Sequence, residues 1–325
     1  LAAQGVPQLQ QLNLAMPKFF AALSHEMTAT PMAQWRDYLR WQLVHRFAPY
    51  LSTAYVDENF RYVQAVRGTK ELLPRWRRVL NTENGALGYA VGREYVKRYF
   101  PPEARAQVVD ILHGVREALR ADIQTLAWMS LATRAKALEK LALMEERIGY
   151  PDVWRDYSKL EIDRGPYVLN VLRANVFDNQ RELAKIGKPV DRSEWAFPPQ
   201  IINAYYDPSM NNINFLAGIL QPPFFDPKGP AAYNYGAIGS IIGHEITHGF
   251  DDEGSQFDGH GNLVNWWGKE DNEKFQVGVS CIADQFSGYT VDGGLHLKGK
   301  LVAGESIADL GGVLLAYRAF QASPG

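Results

Sequence analysis

A chain of 325 residues, 46% hydrophobic and 22% charged, is long enough for one large domain or two ordinary ones and apolar enough to bury a sizeable core. A formal net charge of −2, with no basic cluster and no acidic tail, argues against nucleic acid or any other strongly electrostatic partner. No apolar run approaches the roughly 20 residues of a membrane helix, and the single Cys281 excludes an internal disulfide framework.

No Asn-x-Ser/Thr sequon occurs. These absences fit a bacterial protein better than an animal ectodomain. A periplasmic or secreted location is expected, with a cytoplasmic one left open. The chain opens at Leu1, without Met or a signal-like segment, and closes at Ser323-Pro324-Gly325 directly after an apolar helical pattern. Both ends read as cut.

Residues 1 to about 150 read as helical. Thr30-Pro31 opens a helix over Met32–Arg46, with Trp35, Tyr38, Leu39 and Leu43 at helical spacing. Pro101-Pro102-Glu103 opens another, whose stripe is Val108, Ile111, Leu112, Val115, Leu119, Ile123 and Leu126. Ser130 reads as the N-cap of a helix over Leu131–Ile148 that stops at Gly149-Tyr150-Pro151. Core packing between helices is the expected use of these stripes. His25, His45 and His113 belong to no motif and read as structural or surface residues. Lys188-Pro189-Val190-Asp191 reads as a linker. This divides the chain into a mostly helical region, 1–187, and a second region, 188–325. The second begins with two strand-like runs, Ile201 to Tyr206 and Ile213 to Leu216, around the turn Asp207–Asn212. Tyr233–Phe250 then reads as a helix apolar on nearly all sides, hence buried. Asp251-Asp252-Glu253-Gly254 ends it, and Phe257–Trp267 reads as a turn or short hairpin.

That buried helix carries His244-Glu245-Ile246-Thr247-His248, and a later helix carries Glu305-Ser306-Ile307-Ala308-Asp309. Positions i and i+4 share a helix face, so both histidines can present a ring nitrogen to one ion. Zinc accepts imidazole and carboxylate in a tetrahedral shell. Glu305 would take the third position and water the fourth, the open arrangement of a catalytic site. Glu245 projects about 100° around the helix from His244. It can stand beside the water as general base without binding the metal. Asp309, one turn beyond Glu305, is placed to accept the free N–H of His244. Gly311-Gly312 in mid-helix is expected to allow close approach of a neighbouring helix. His260 and His296 remain rival ligands.

These segments, with Asn203-Ala204-Tyr205-Tyr206, Ala217–Phe225, Leu263–Trp267 and Gly304–Gly312, resemble the neprilysin-like (M13) zinc metallopeptidases, a family that includes bacterial oligopeptidases. The resemblance implies a mainly α fold with a smaller β component, in which a helical N-terminal capping domain accompanies a thermolysin-like α+β zinc peptidase domain. It implies one zinc per chain on His244, His248 and Glu305, with Glu245 catalytic and Asp309 behind the ligands. Asn203 and Ala204 would bind extended peptide by strand addition. Ile219, Phe224 and Ile241 would form an apolar pocket for the residue after the scissile bond. The implied activity is endopeptidase cleavage of short peptides on the amino side of bulky hydrophobic residues. The family's oxyanion-stabilising histidine and substrate-binding arginine would lie beyond Gly325, and part of its N-terminal region is missing. The alternative is therefore a truncated or nicked zinc-binding fragment with little activity by itself, completed by a companion fragment.

Overall fold

The computed structural model describes residues 5–8, 11 and 13–323. The chain forms two compact units. One comprises residues 1–87 and 156–190, the other residues 88–155 and 191–325.

The first unit is helical. It holds α1 (Pro17–Ala29), α2 (Met32–Phe47), α3 (Thr53–Arg67), the opening part of α4 (Arg75–Tyr99) and α7 (Tyr167–Leu183). Gly68 ends α3 in a left-handed conformation, with φ 69°. The apolar spacing of α2 gives a helix where expected, but the helix buries none of its residues. Tyr38, Leu39 and Leu43 all lie on the surface. Periodicity supplied the helix here; the partner that a core role requires is not among the described residues.

Helix α4 is two helical stretches joined at a kink, where Leu87 has non-helical φ −124° and ψ 15°. The division between the units falls at that kink.

The second unit holds α5 (Pro102–Thr125), α6 (Leu131–Leu143), β1 (Glu145–Gly149), β2 (Ala204–Asp207), β3 (Asn212–Leu216), α8 (Ala231–Asn234), α9 (Ser240–His248), α10 (Lys269–Ser287), the short β4 (Thr290–Val291) and β5 (Leu295–His296), and α11 (Gly299–Ala322). Its main sheet has the order β1-β3-β2. β3 is central and buried at every position, parallel to β1 and antiparallel to β2. The 207–212 turn closes the β2–β3 hairpin: the Asp207 carboxylate accepts the Ser209 N–H at 2.9 Å, and Asn211 takes φ 47°.

One expectation fails here. The helix after Ser130 does not reach Ile148. It ends at Leu143, and Glu145–Gly149 becomes a strand in register with Asn212–Leu216. The compact units also run differently from the division at 1–187 and 188–325, since α5, α6 and β1 belong to the second unit. Val108, Leu112, Val115, Leu141 and Ile148 are buried in one core with Ile213, Phe215 and Phe225. The Ser130 cap does form, its hydroxyl accepting the Thr133 N–H.

α8, a π-helical turn (Tyr235–Gly239) and α9 run on as one helical segment. Ile238, Ile242 and Ile246, at i, i+4 and i+8, are fully buried. Burial overrides the modest helix propensity of isoleucine. α11 packs along α9, and also against α5 and α10. The α9–α11 contact is close: a Cβ on Gly312 would lie 2.5 Å from the Ser240 carbonyl oxygen and 3.0 Å from the His244 nitrogen. A Cβ on Gly243 would meet the Gly312 backbone at 2.8 Å. The mid-helix glycines thus let two backbones touch.

Candidate metal centre

On α9, His244 and His248 face the same way, one turn apart. Their rings meet edge to face with centroids 4.5 Å apart, and their Nε2 atoms lie 2.9 Å apart. From α11, Glu305 Oε2 comes to 3.3 Å from His244 Nε2 and 3.8 Å from His248 Nε2. Among the described residues, these three side chains form a group whose ligand atoms all lie within 4.8 Å of one another. His260 and His296 are not in that group.

Each imidazole is held from behind. His244 Nδ1 donates to Asp309 Oδ1 at 2.9 Å, and His248 Nδ1 donates to Asp251 Oδ2 at 2.6 Å. An ionised carboxylate only accepts, so the ring proton sits on Nδ1 and each Nε2 lone pair faces inward. Two imidazole nitrogens and a carboxylate oxygen this close together need a proton or a metal ion between them to offset their repulsion. Ligand atoms around a tetrahedral zinc, with bonds of about 2.0–2.2 Å, sit about 3.3–3.6 Å apart. The observed 2.9, 3.3 and 3.8 Å bracket that range. The donor set fits zinc.

The anchors are unequal. The Asp251 side chain is only 5% exposed. Its second oxygen accepts N–H groups of Glu253 at 2.9 Å and Gly254 at 2.7 Å. Asp309 and Glu305, by contrast, have side chains 78% and 70% exposed.

Glu245 is buried beside the histidines and accepts the backbone N–H of Tyr206. Burial pushes its carboxyl up to about 7, against the pull of His248 and with the added push of Glu305. For His248, burial works against the charged form. The hydrogen bond and charge of Asp251, with Glu245 and Glu305, outweigh it and raise its pKa. A carboxyl that titrates near neutrality can both accept and return a proton at working pH.

A cleft of about 400 Å³ lies over these groups, lined by His244, Glu245, His248 and Glu305 on one side and by Asn203, Ala204, Tyr205 and Tyr206 on the other. β2 is the sheet edge here. Asn203 O accepts from Leu216 N, and Tyr205 pairs with Asn214, so alternation turns the N–H and C=O of Ala204 to the outer edge, where the neighbouring outward N–H, that of Tyr206, is taken by Glu245. Ile219, Phe224 and Ile241 are not among the residues lining this cleft. They pack in or against the core, Ile219 buried and the other two partly buried. Ile241 lies one turn before Glu245 on α9.

Sequence reading missed Asp251. Its signal was its position, three residues after His248, in a segment read only as a helix terminator. Lys140, buried on α6, gave no local signal.

Sequence profiles of Peptidase family M13 match residues 1–151 and 203–324. The endothelin-converting enzyme homolog of Locusta migratoria is 37% identical over 87% of this chain and 40% of its own length. Neprilysin of Oryctolagus cuniculus is 36% identical over 97% of this chain and 44% of its own. The solved zinc metalloprotease Zmp1 of Mycobacterium tuberculosis, in complex with an inhibitor, superposes with a TM-score of 0.88 at 42% identity, covering 94% of this chain and 47% of that one. The fold is therefore of the neprilysin-like class, a helical region with a thermolysin-like one. The chain belongs to peptidase family M13. It spans less than half the length of these relatives. No helix among the described residues is long and apolar enough to cross a membrane.

Proposed function

We propose that this chain carries the zinc centre of an endopeptidase that cleaves short peptides on the amino side of bulky hydrophobic residues. One observation carries the reading: two imidazole nitrogens and the Glu305 carboxylate converge in a cleft shared with buried Glu245 and the outer edge of β2. His244, His248 and Glu305 would hold one zinc per chain. When bound there, zinc supplies Lewis acidity that lowers the pKa of water toward about 7 and polarises the scissile carbonyl.

The protein's own groups do the rest. Glu245 takes the proton of the attacking water on its carboxylate and returns it to the leaving amine. Asp309 and Asp251 keep the histidine protons on Nδ1. Asn203, through its side chain, and Ala204, through its outward backbone, would align an extended peptide along β2. Ile219, Phe224 and Ile241 would surround the side chain that follows the cut. Their packing in one apolar cluster, with Ile241 one turn before Glu245 on α9, supports that reading.

The test is Glu245→Gln, which should keep zinc and lower cleavage of a fluorogenic peptide by a factor of about 10² or more. Undiminished cleavage by metal-verified protein overturns the reading. A second reading rests on the chain spanning less than half of its relatives. In it, the chain binds zinc but has little activity until a companion fragment supplies the remaining substrate contacts. Stoichiometric zinc without cleavage in the wild-type chain, restored by such a fragment, would favour it.

A further inference from the structure

Lys140 on α6 is 1% exposed, and its side chain is among the largest that are fully buried. An ammonium is costly to bury unless its donors are met. Its Nζ donates to the carbonyls of Gly254 at 2.6 Å and Phe257 at 2.7 Å. The rings of Tyr206, Phe250 and Trp266 surround it, with centroids at 5.8, 5.6 and 5.9 Å. Both carbonyls belong to the segment that leaves α9 just after His248. Gly254 is thus held from two sides. Its C=O accepts from Lys140, and its N–H donates to Asp251 Oδ1 at 2.7 Å. The other oxygen of Asp251 holds His248 Nδ1.

We infer that Lys140 is a positioning residue of the metal centre, fixing the 251–257 segment and, through Asp251, the ring of His248. The inference rests on the zinc reading above. The Lys140 carbonyl separately accepts from Asn211 Nδ2 at 3.1 Å, so replacing the side chain leaves that backbone tie intact.

The experiment measures zinc dissociation constants, by competition with a chelator, for the full chain and for Lys140→Met, Asp251→Asn and the double variant. Lys140→Met should weaken zinc about tenfold or more, as loss of a ligand-orienting partner does. In the Asp251→Asn background it should add less than about twofold, because both act on one ring. A core variant outside this network, Val108→Ala, should lose stability and leave zinc affinity unchanged. Unchanged affinity in Lys140→Met, or losses that add in the double variant, overturns the inference. Lys140→Gln, which keeps a donor, stands in if Lys140→Met does not fold. Failure of both to fold makes Lys140 a fold residue and equally overturns it. A wild-type chain that binds no zinc would instead remove the zinc reading itself.

Discussion

The two helices that build the centre hold their groups in opposite ways. On α9, Glu245 is buried, and Asp251, which anchors His248 from the segment just after the helix, is 5% exposed and bonded at both oxygens. On α11, Glu305 and Asp309 reach the same point from side chains that are 70% and 78% exposed. Packing sets the α9 half in advance. The α11 half depends on how closely the two backbones approach at Gly243 and Gly312, and on the ion that would join them. The difference predicts where substitutions act on stability and where they act on metal affinity.

The largest effect should come from the buried charge. Below its ordinary pKa of 4.5, Glu245 is protonated in both folded and unfolded chains. Above about 7 it is ionised in both, and the folded chain then bears the cost of burying the charge. Its contribution therefore favours folding in acid and is lost as pH rises from 4.5 through about 7. In metal-free protein, Glu245→Gln should raise unfolding free energy by up to about 3 kcal/mol near pH 8. Near pH 4.5 it should change little. Urea titrations at the two pH values check the sign, and a stabilisation larger in acid would contradict it.

The helix contact comes next. Gly312→Ala puts a methyl group against the Ser240 carbonyl, and overpacking of this kind costs about 1–3 kcal/mol. Thermal unfolding would register that loss, and zinc affinity should fall as Glu305 is pushed away from the histidines. The two anchoring carboxylates give a finer test. Asp251→Asn should weaken zinc by roughly 10- to 100-fold, whereas Asp309→Asn, removing an exposed partner, should do so less. Equal losses in chelator competition would mean that burial of the anchor does not matter. The smallest effect belongs to the outer face of α11: Leu310→Ser should stay within about 0.5 kcal/mol of wild type, since Leu310 is exposed.

Local pattern carried much of this into the sequence. The i and i+4 spacing put His244 with His248 and Glu305 with Asp309, and the apolar run around Ile238, Ile242 and Ile246 announced a buried helix. The 207–212 turn marked the β2–β3 hairpin. What local pattern could not carry was long-range pairing. Met144 to Ile148 contains no helix breaker, so nothing nearby tells that Glu145–Gly149 leaves the helix to lie parallel to β3. The interleaved units follow from that pairing, and so does the environment of Lys140, whose partners lie more than 100 positions away. Helix α2 shows the converse. Its period was correct, but a period names a face and not the surface that covers it.

The central claim is that His244, His248 and Glu305 hold one zinc ion beside Glu245. Anomalous diffraction at the zinc absorption edge, from crystals of the chain grown with zinc, tests it directly. The account predicts one peak within bonding distance of both Nε2 atoms and a Glu305 oxygen, with Glu245 outside that distance. An empty site in crystals that hold zinc elsewhere, or a peak bound by Glu245 in place of Glu305, would contradict it.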